Sequence, residues 1–346
     1  MAYFLLIIGF VFLVKGADYF VSGSSAIAEY FNISAFIIGL TVVAMGTSLP
    51  EAAISVTAAM TGANGIALGN AIGSNMFNIL VVLGVSAIIR ECPVSRETLR
   101  FDYPLSIGVA ALLVIMSGGL NLDNTKLGGN TISSFEGIIL LAIFILFMIV
   151  SVVRASKNEM HELEIDYYGG ADVGDPAACI VEEGELVCTD EEASASKPLI
   201  KTLFLAVIGA IGVILGGDMV VDSAVKIAGG WGIDEVLIGL TIVALGTSLP
   251  ELVISIVAAR KGETEIAVGN VIGSNIFNLL LVLGLSATIH PIEVTIFSIY
   301  DLLILIAVSL IILIPLLRKQ ALTRNWGVVM LLMYGLYLTY IIMRAM

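Results

Sequence analysis

The sequence predicts an all-α polytopic membrane protein: ten transmembrane helices as two inverted five-helix repeats, with broken helices at the midplane. Three observations lead there. Apolar residues make up 58% of the 346 residues, charged residues make up 13%, and mean hydropathy is +1.04; such a balance suits spans in lipid. The apolar stretches fall into ten segments, five on either side of a polar middle. The stretch Gly39 to Glu51, GLTVVAMGTSLPE, returns almost unchanged as Gly239 to Glu251, GLTIVALGTSLPE. An odd number of spans per copy turns the second copy over relative to the first.

The opening MAYFLLIIGFVFLVKG lacks a basic n-region and a small-residue cleavage site, so it reads as the first span, 2–22. Spans at 34–60, 65–89, 103–120 and 134–153 complete the first repeat, residues 1–154. The second repeat, residues 199–346, holds spans at 199–221, 234–259, 265–289, 297–317 and 325–343. Pro104 and Pro315 sit near span edges, where a proline is tolerated. The copies keep register from Val11 to Ile88, matching Gly16 with Gly216 and Asp18 with Asp218; the two aspartates read as solvated helix ends ahead of the alternative, an ion entry route.

Residues 155–198 form an acidic linker loop containing HELEIDYY and CIVEEGELVCTDEEAS. It is Gly-rich and poor in large apolar residues, so most of it is expected to be flexible. The alternating acidic pattern of a calcium-binding EF-hand loop is missing. His161, Cys179 and Cys188 make a poor case as metal ligands, and three scattered Cys support neither a disulfide framework nor a zinc site. The net charge of −13 collects largely in this loop and so says little about partners; no nucleic-acid partner is expected.

Basic residues orient the chain. With the N-terminus outside, the inner loops hold Arg90, Arg96, Arg100, Arg154, Lys157, Lys197, Lys201, Arg260, Lys261, Arg318, Lys319 and Arg324; the outer side holds Lys126, Lys226 and Arg344. Both termini are therefore expected outside and the linker in the cytoplasm.

The repeated stretch carries the chemistry. It puts one carboxylate, Glu51 or Glu251, in the middle of an apolar span, where a charge costs about 2.5–3.5 kcal/mol on the mild insertion scale. Helix packing needs no buried negative charge; a cation site does. Pro50 and Pro250 offer no N–H to the carbonyls of Gly46 and Gly246, so each helix is expected to kink or break there. On a helix Thr47 and Ser48 share a face with Glu51, as Thr247 and Ser248 do with Glu251. The result is an all-oxygen set, suited to hard cations such as calcium or sodium. A second copied motif, GNAIGSNMFN at Gly69 to Asn78 and GNVIGSNIFN at Gly269 to Asn278, places Asn70, Ser74 and Asn78 on one stripe. Gly65, Gly69 and Gly73 form a small-residue stripe that would admit another backbone.

Together these motifs resemble the sodium/calcium exchanger family within the calcium/cation antiporter superfamily, as a prokaryotic-type member. The resemblance implies a core built from the second, third, seventh and eighth spans around neighbouring cation sites, with the first and sixth sliding across it. It implies that Glu51 and Glu251 hold calcium with the carbonyls of Thr47 and Thr247. Sodium would use the same carboxylates with Ser48, Ser248, Ser74, Ser274, the carbonyls of Ala44 and Ala244, and Asn78. The mate of Asn78 is Asn278, where some relatives have Asp; an amide there weakens any case for potassium co-transport. The resemblance further implies an electrogenic antiporter, no enzyme and no cofactor, working as a monomer in the plasma membrane.

A calcium/proton antiporter would use the same carboxylates without sodium. A channel would conduct without a counter-ion, and the inverted repeat argues for alternating access instead. A hydrolase would want a base beside a nucleophile, and His161 and His290 are not near Ser48 or Ser248 in sequence.

Overall fold

The computed structural model describes residues 2–31, 33–62, 64–118, 131–169, 179–182, 185–188, 199–231 and 244–345. The first repeat holds α1 (Ala2–Tyr30), α2 (Ala35–Thr47), α3 (Leu49–Met60), α4 (Gly65–Ile89), α5 (Arg96–Met116) and α6 (Ser134–Gly169). The second holds α7 (Leu199–Gly230), α8 (Ala244–Gly246), α9 (Leu249–Lys261), α10 (Thr264–Ile289), α11 (Ile296–Lys319) and α12 (Arg324–Ala345). Among the described residues eight helices are long and apolar enough to span a membrane, and α2 with α3 makes one further, bent span. The tenth position belongs to α8 and α9, and residues 232–243 before them lie outside the described residues.

Burial sorts the helices into layers. The apolar stretch of α10 is 94% buried and that of α4 is 72% buried, against 17% for α12 and 22% for α6. The central helices therefore meet protein on nearly every side, while the outer ones offer Ile138, Ile145, Leu332 and Leu336 to lipid. α1 and α7 pack chiefly on each other. Their glycines make this possible: a Cβ on Gly16 would lie 2.6 Å from the backbone nitrogen of Val213, and one on Gly23 2.6 Å from that of Ala206.

This packing corrects the expected ends of the first and sixth spans, 22 and 221, because α1 runs on to Tyr30 and α7 to Gly230. The small and polar residues that lower hydropathy there, such as Gly23 and Ser24, are buried within the protein and do not end the helix. The fourth span begins earlier than expected, at Arg96, where Ser95 caps the helix by accepting from the Thr98 N–H at 3.1 Å. α6 continues through the Glu-bearing sequence SKNEMHELEIDYYG to Gly169, so the expected linker 155–198 begins as helix. Beyond it the chain forms a hairpin of β3 (Cys179–Glu182) and β4 (Glu185–Cys188), after the short strands β1 (Cys92–Pro93) and β2 (Thr131–Ile132). The side chains of His161, Cys179 and Cys188 lie outside the described residues.

The inverted repeat is written into the pairings. β1 pairs antiparallel with β6 (Ala321–Leu322), and β2 with β5 (Ile292–Glu293), so each repeat's third-span exit joins the other's approach to its last span. Arg154 bonds Asp102 at 2.7 Å as Arg344 bonds Asp301 at 2.9 Å. Phe77 stacks edge-on with Tyr334, and Phe277 with Phe144. Each of these contacts crosses or repeats under the same exchange of halves.

Candidate cation-binding site

The α2–α3 span bends by 47°, and the break falls at Ser48 (φ −84°, ψ 4°), with Ser248 matching it at φ −91°, ψ 9°. The expected break at the proline is thereby refined. Pro50 and Pro250 lie in the first turn of the new helices α3 and α9, where a missing N–H leaves no bond unmade. Glu51 and Glu251 follow in the same first turns and are fully buried. The N-terminal end of a helix favours a negative charge, which partly offsets the cost of placing carboxylates there.

Each carboxylate is served from the opposite repeat. Ser248 Oγ donates to Glu51 Oε1 at 3.1 Å and lies 3.1 Å from Ser74 Oγ. Ser48 Oγ donates to Glu251 Oε1 at 3.5 Å. Thr47 Oγ1 lies 3.1 Å from the Ala44 carbonyl, 3.1 Å from Asn270 Oδ1 and 3.2 Å from Ser274 Oγ. Among the described residues no group of three or more His, Cys, Asp or Glu side chains comes together, so neutral oxygens complete the surroundings of the carboxylate pair.

Four acceptor oxygens stand out. Glu51 Oε2, Glu251 Oε2, Asn78 Oδ1 and Asn278 Oδ1 are buried with no hydrogen-bond partner among the described residues. Leaving such oxygens unmatched costs about 1–3 kcal/mol each, more for a charge, and they form two symmetry-related pairs. Their chemistry fits a hard cation. The expected residues Glu51, Glu251, Thr47, Ser48, Ser248, Ser74, Ser274, Asn78, Asn278 and Ala44 are all buried, as is Thr247 in the turn before α9. Ala244 opens α8.

Other expectations come out differently. Asn70 and Asn270 support the site: each donates to a serine one turn beyond the carboxylate, Asn70 to Ser55 Oγ and Asn270 to Ser255 Oγ, both at 3.1 Å. The small-residue stripe is filled in the second half, where a Cβ on Gly269 or Gly273 would meet the backbone of Phe36 to Leu40. For Gly65, Gly69 and Gly73 no described atom lies within 4 Å of a Cβ. Asp18 and Asp218 lie inside α1 and α7 and not at helix ends, because both helices run on past the expected span ends; Asp18 is bridged to Lys261, while Asp218 is exposed.

Sequence reasoning passed over Ser55, Ser255, Asn75 and Asn275. The serines recur four residues after each carboxylate, and the two asparagines stand in the copied GSN of each half. Both were visible as repeats. A π-helical turn at Asn78–Val82 and its copy at Asn278–Val282, with Leu83 N bonding Asn78 O, widen α4 and α10 at the asparagines; such turns gather at functional sites.

The model of the family described as "Sodium/calcium exchanger protein" matches residues 1–153 and 201–343. The sodium/calcium exchanger MaX1 of Methanosarcina acetivorans is 33% identical over 350 residues, covering 97% of each chain. The inner membrane protein YrbG of Escherichia coli is 37% identical over 292 residues, 84% of this chain and 80% of its own. A solved structure of the sodium-calcium exchanger NCX_Mj, soaked with zero Na+ and Ca2+, superposes with a TM-score of 0.77 at 31% identity, covering 98% of both chains. With the duplicated motifs, the crossed pairings and the buried carboxylate pair, these matches establish that the chain is a multi-pass membrane antiporter belonging to the sodium/calcium exchanger family.

Proposed function

We propose that the protein exchanges sodium for calcium across the membrane by alternating access, with Glu51 and Glu251 as the shared carboxylates. The observation that carries this reading is the set of four unmatched buried oxygens, one carboxylate and one amide oxygen from each repeat. Calcium accepts several oxygen ligands and neutralises both carboxylates at once. Sodium ions drawing on the same oxygens, with Ser48, Ser248, Ser74, Ser274 and the carbonyls of Ala44, Ala244, Thr47 and Thr247, displace it. Because the ligands are shared, one cargo leaves before the other is fully bound, and exchange becomes obligatory.

The α1–α7 pair, joined through close glycine contacts, is the element we assign to movement against the core. The halves are residues 1–154 and 199–346, joined by the cytoplasmic linker 155–198, and both termini lie outside the plasma membrane. The protein works as a monomer without a cofactor. Exchange is electrogenic, each net charge being driven by about 2.3 kcal/mol per 100 mV, and it needs no potassium, since Asn278 supplies an amide in place of a further carboxylate.

The test is uptake of radioactive calcium into sodium-loaded proteoliposomes, with sodium, potassium, choline or choline plus a proton gradient outside. Uptake that requires an outward sodium gradient, needs no potassium and responds to membrane potential is the expected result. Uptake driven by protons alone would overturn it in favour of calcium/proton exchange.

A further inference from the structure

The two amide ligands face a problem the carboxylates do not: an asparagine turned the wrong way presents an NH2 group to a cation. A buried NH2 needs an acceptor, and the acceptors here come from the other repeat. Asn78 Nδ2 donates to Asn275 Oδ1 at 3.3 Å, and Asn278 Nδ2 donates to Asn75 Oδ1 at 3.2 Å. Asn75 is itself oriented, because its Nδ2 donates to the backbone carbonyl of Asn275 at 3.1 Å. All four side chains are buried, with at most 2% exposure. The amide ends not held in these bonds, Asn78 Oδ1 and Asn278 Oδ1, are the ones without a partner.

We infer that Asn75 and Asn275 are positioning residues for exchange: each crosses to the opposite repeat and fixes the amide of Asn278 or Asn78 so that its oxygen faces the cargo. This rests on the proposed exchange function. Asn75 and Asn275 each follow a site serine, Ser74 or Ser274, by one position, so they reach between α4 and α10. Because the bonds cross between repeats, they tie the direction of each ligand to the spacing of the two central helices. An oxygen held in place also loses no rotamer freedom when the ion arrives.

Crossed pairing makes a specific prediction about coupling. In the purified full chain, calcium-dependent protection against thermal unfolding is titrated for wild type, Asn275→Leu, Asn78→Ala and the double variant, and likewise for Asn75→Leu with Asn278→Ala. Each single variant should weaken the calcium midpoint by about tenfold, equivalent to about 1.4 kcal/mol. Each crossed double variant should be no weaker than its ligand variant alone. The uncrossed double variant, Asn75→Leu with Asn78→Ala, should show additive losses. Asn275→Asp, which keeps an accepting oxygen, should retain the protection that Asn275→Leu loses; Asn275→Ala replaces the Leu variant in the cycle if that one does not yield folded protein.

A purely structural role would lower the calcium-free melting temperature and give the same additivity in every combination. That pattern, or an unchanged calcium midpoint in Asn275→Leu, overturns the inference. Wild type showing no calcium protection at all would instead count against the exchange reading, so the two failures separate.

Discussion

Lys261 holds Asp18 with its ammonium 2.7 Å from the carboxylate Oδ1 and 2.8 Å from the backbone carbonyl, and the inverted repeat has no copy of this bond. The position matching Lys261 is Thr61, and the position matching Glu263, which accepts from Ser25 Oγ at 2.8 Å, is Ala63. α1 is therefore tied to the α9–α10 turn by a bridge whose inverted mate is missing. In the proposed orientation this turn faces the cytoplasm, so the bridge is expected to favour the state closed on that side.

Lys261→Thr is accordingly expected to enlarge the population open to the cytoplasm and to tighten the apparent calcium affinity measured from that side. The bridge is partly exposed, 31% at Lys261 and 43% at Asp18, and pairs of that kind contribute about 0.2–1 kcal/mol. The shift should therefore stay below about fivefold, the equivalent of 1 kcal/mol. Calcium titrations on inside-out and right-side-out vesicles check it; equal midpoints in variant and wild type on both faces would refute the asymmetry.

Glu51→Gln and Glu251→Gln remove one negative charge each while keeping an oxygen that can accept from Ser248 or Ser48. Both variants should fold, elute as wild type on gel filtration, and lose sodium-driven calcium uptake almost completely. The symmetry of the bonds predicts losses of similar size in both. Uptake surviving in either purified variant would remove that carboxylate from the mechanism.

Protons take the same carboxylate oxygens as the cargo. Acidification should therefore raise the calcium concentration needed for half-maximal uptake while leaving the maximal rate reachable at high calcium, and raising the pH should reverse it. A calcium midpoint unchanged between about pH 8 and pH 5, a range above the usual Glu value near 4.3, would show that protons do not compete there.

Much of this site was legible because the sequence states it twice. Glu51 and Glu251 break the apolar pattern of their spans at matched positions, and a lone buried charge in lipid has few explanations. What single residues could not reveal was partnership across the axis. Ser248 belongs by sequence to Glu251 but by hydrogen bond to Glu51. Asn75 lies off the polar stripe, and its importance comes from α10, which helical spacing within α4 cannot show. The helix break was expected at Pro50 but lies at Ser48, because a proline is as acceptable in the first turn of a new helix as it is disruptive within an old one. The ends of α1 and α7 were hidden for a related reason: hydropathy measures suitability for lipid, and polar residues there such as Ser24 and Ser223 are buried against protein.

Arg154 bonds Asp102 and Glu97, and Asp102 is nearly inaccessible, its side chain 2% exposed. Arg154→Ala would leave that carboxylate buried and unpaired, a loss expected to cost about 3–5 kcal/mol. Arg344→Ala should cost less, because Asp301 is more open, its side chain 11% exposed. Replacing both partners, Asp102→Asn with Arg154→Met, should recover much of the loss. Thermal unfolding in detergent checks the order; equal melting temperatures for Arg154→Ala and wild type would remove any structural weight from the pair.

Gly273 lies where α10 packs closely on α2. A Cβ there would run into the Leu40 carbonyl and lie 2.6 Å from Ala44 Cβ. The Leu40 carbonyl belongs to the π-helical turn Gly39–Val43, so it is fixed backbone and cannot move aside as a flexible side chain would. Gly273→Ala should therefore push α2 off α10, moving Ala44 and Thr47 relative to Ser274, at a cost of about 1–3 kcal/mol typical of overpacking. Gly335 in α12 has no described atom within 4 Å of a Cβ, and Gly335→Ala should be neutral or stabilising by up to about 1 kcal/mol from helix propensity. Thermal unfolding and calcium uptake measured side by side should show loss of both in Gly273→Ala and of neither in Gly335→Ala. Retained uptake in a stable Gly273→Ala variant would mean that this helix contact tolerates an added methyl group and does not set the geometry of the site.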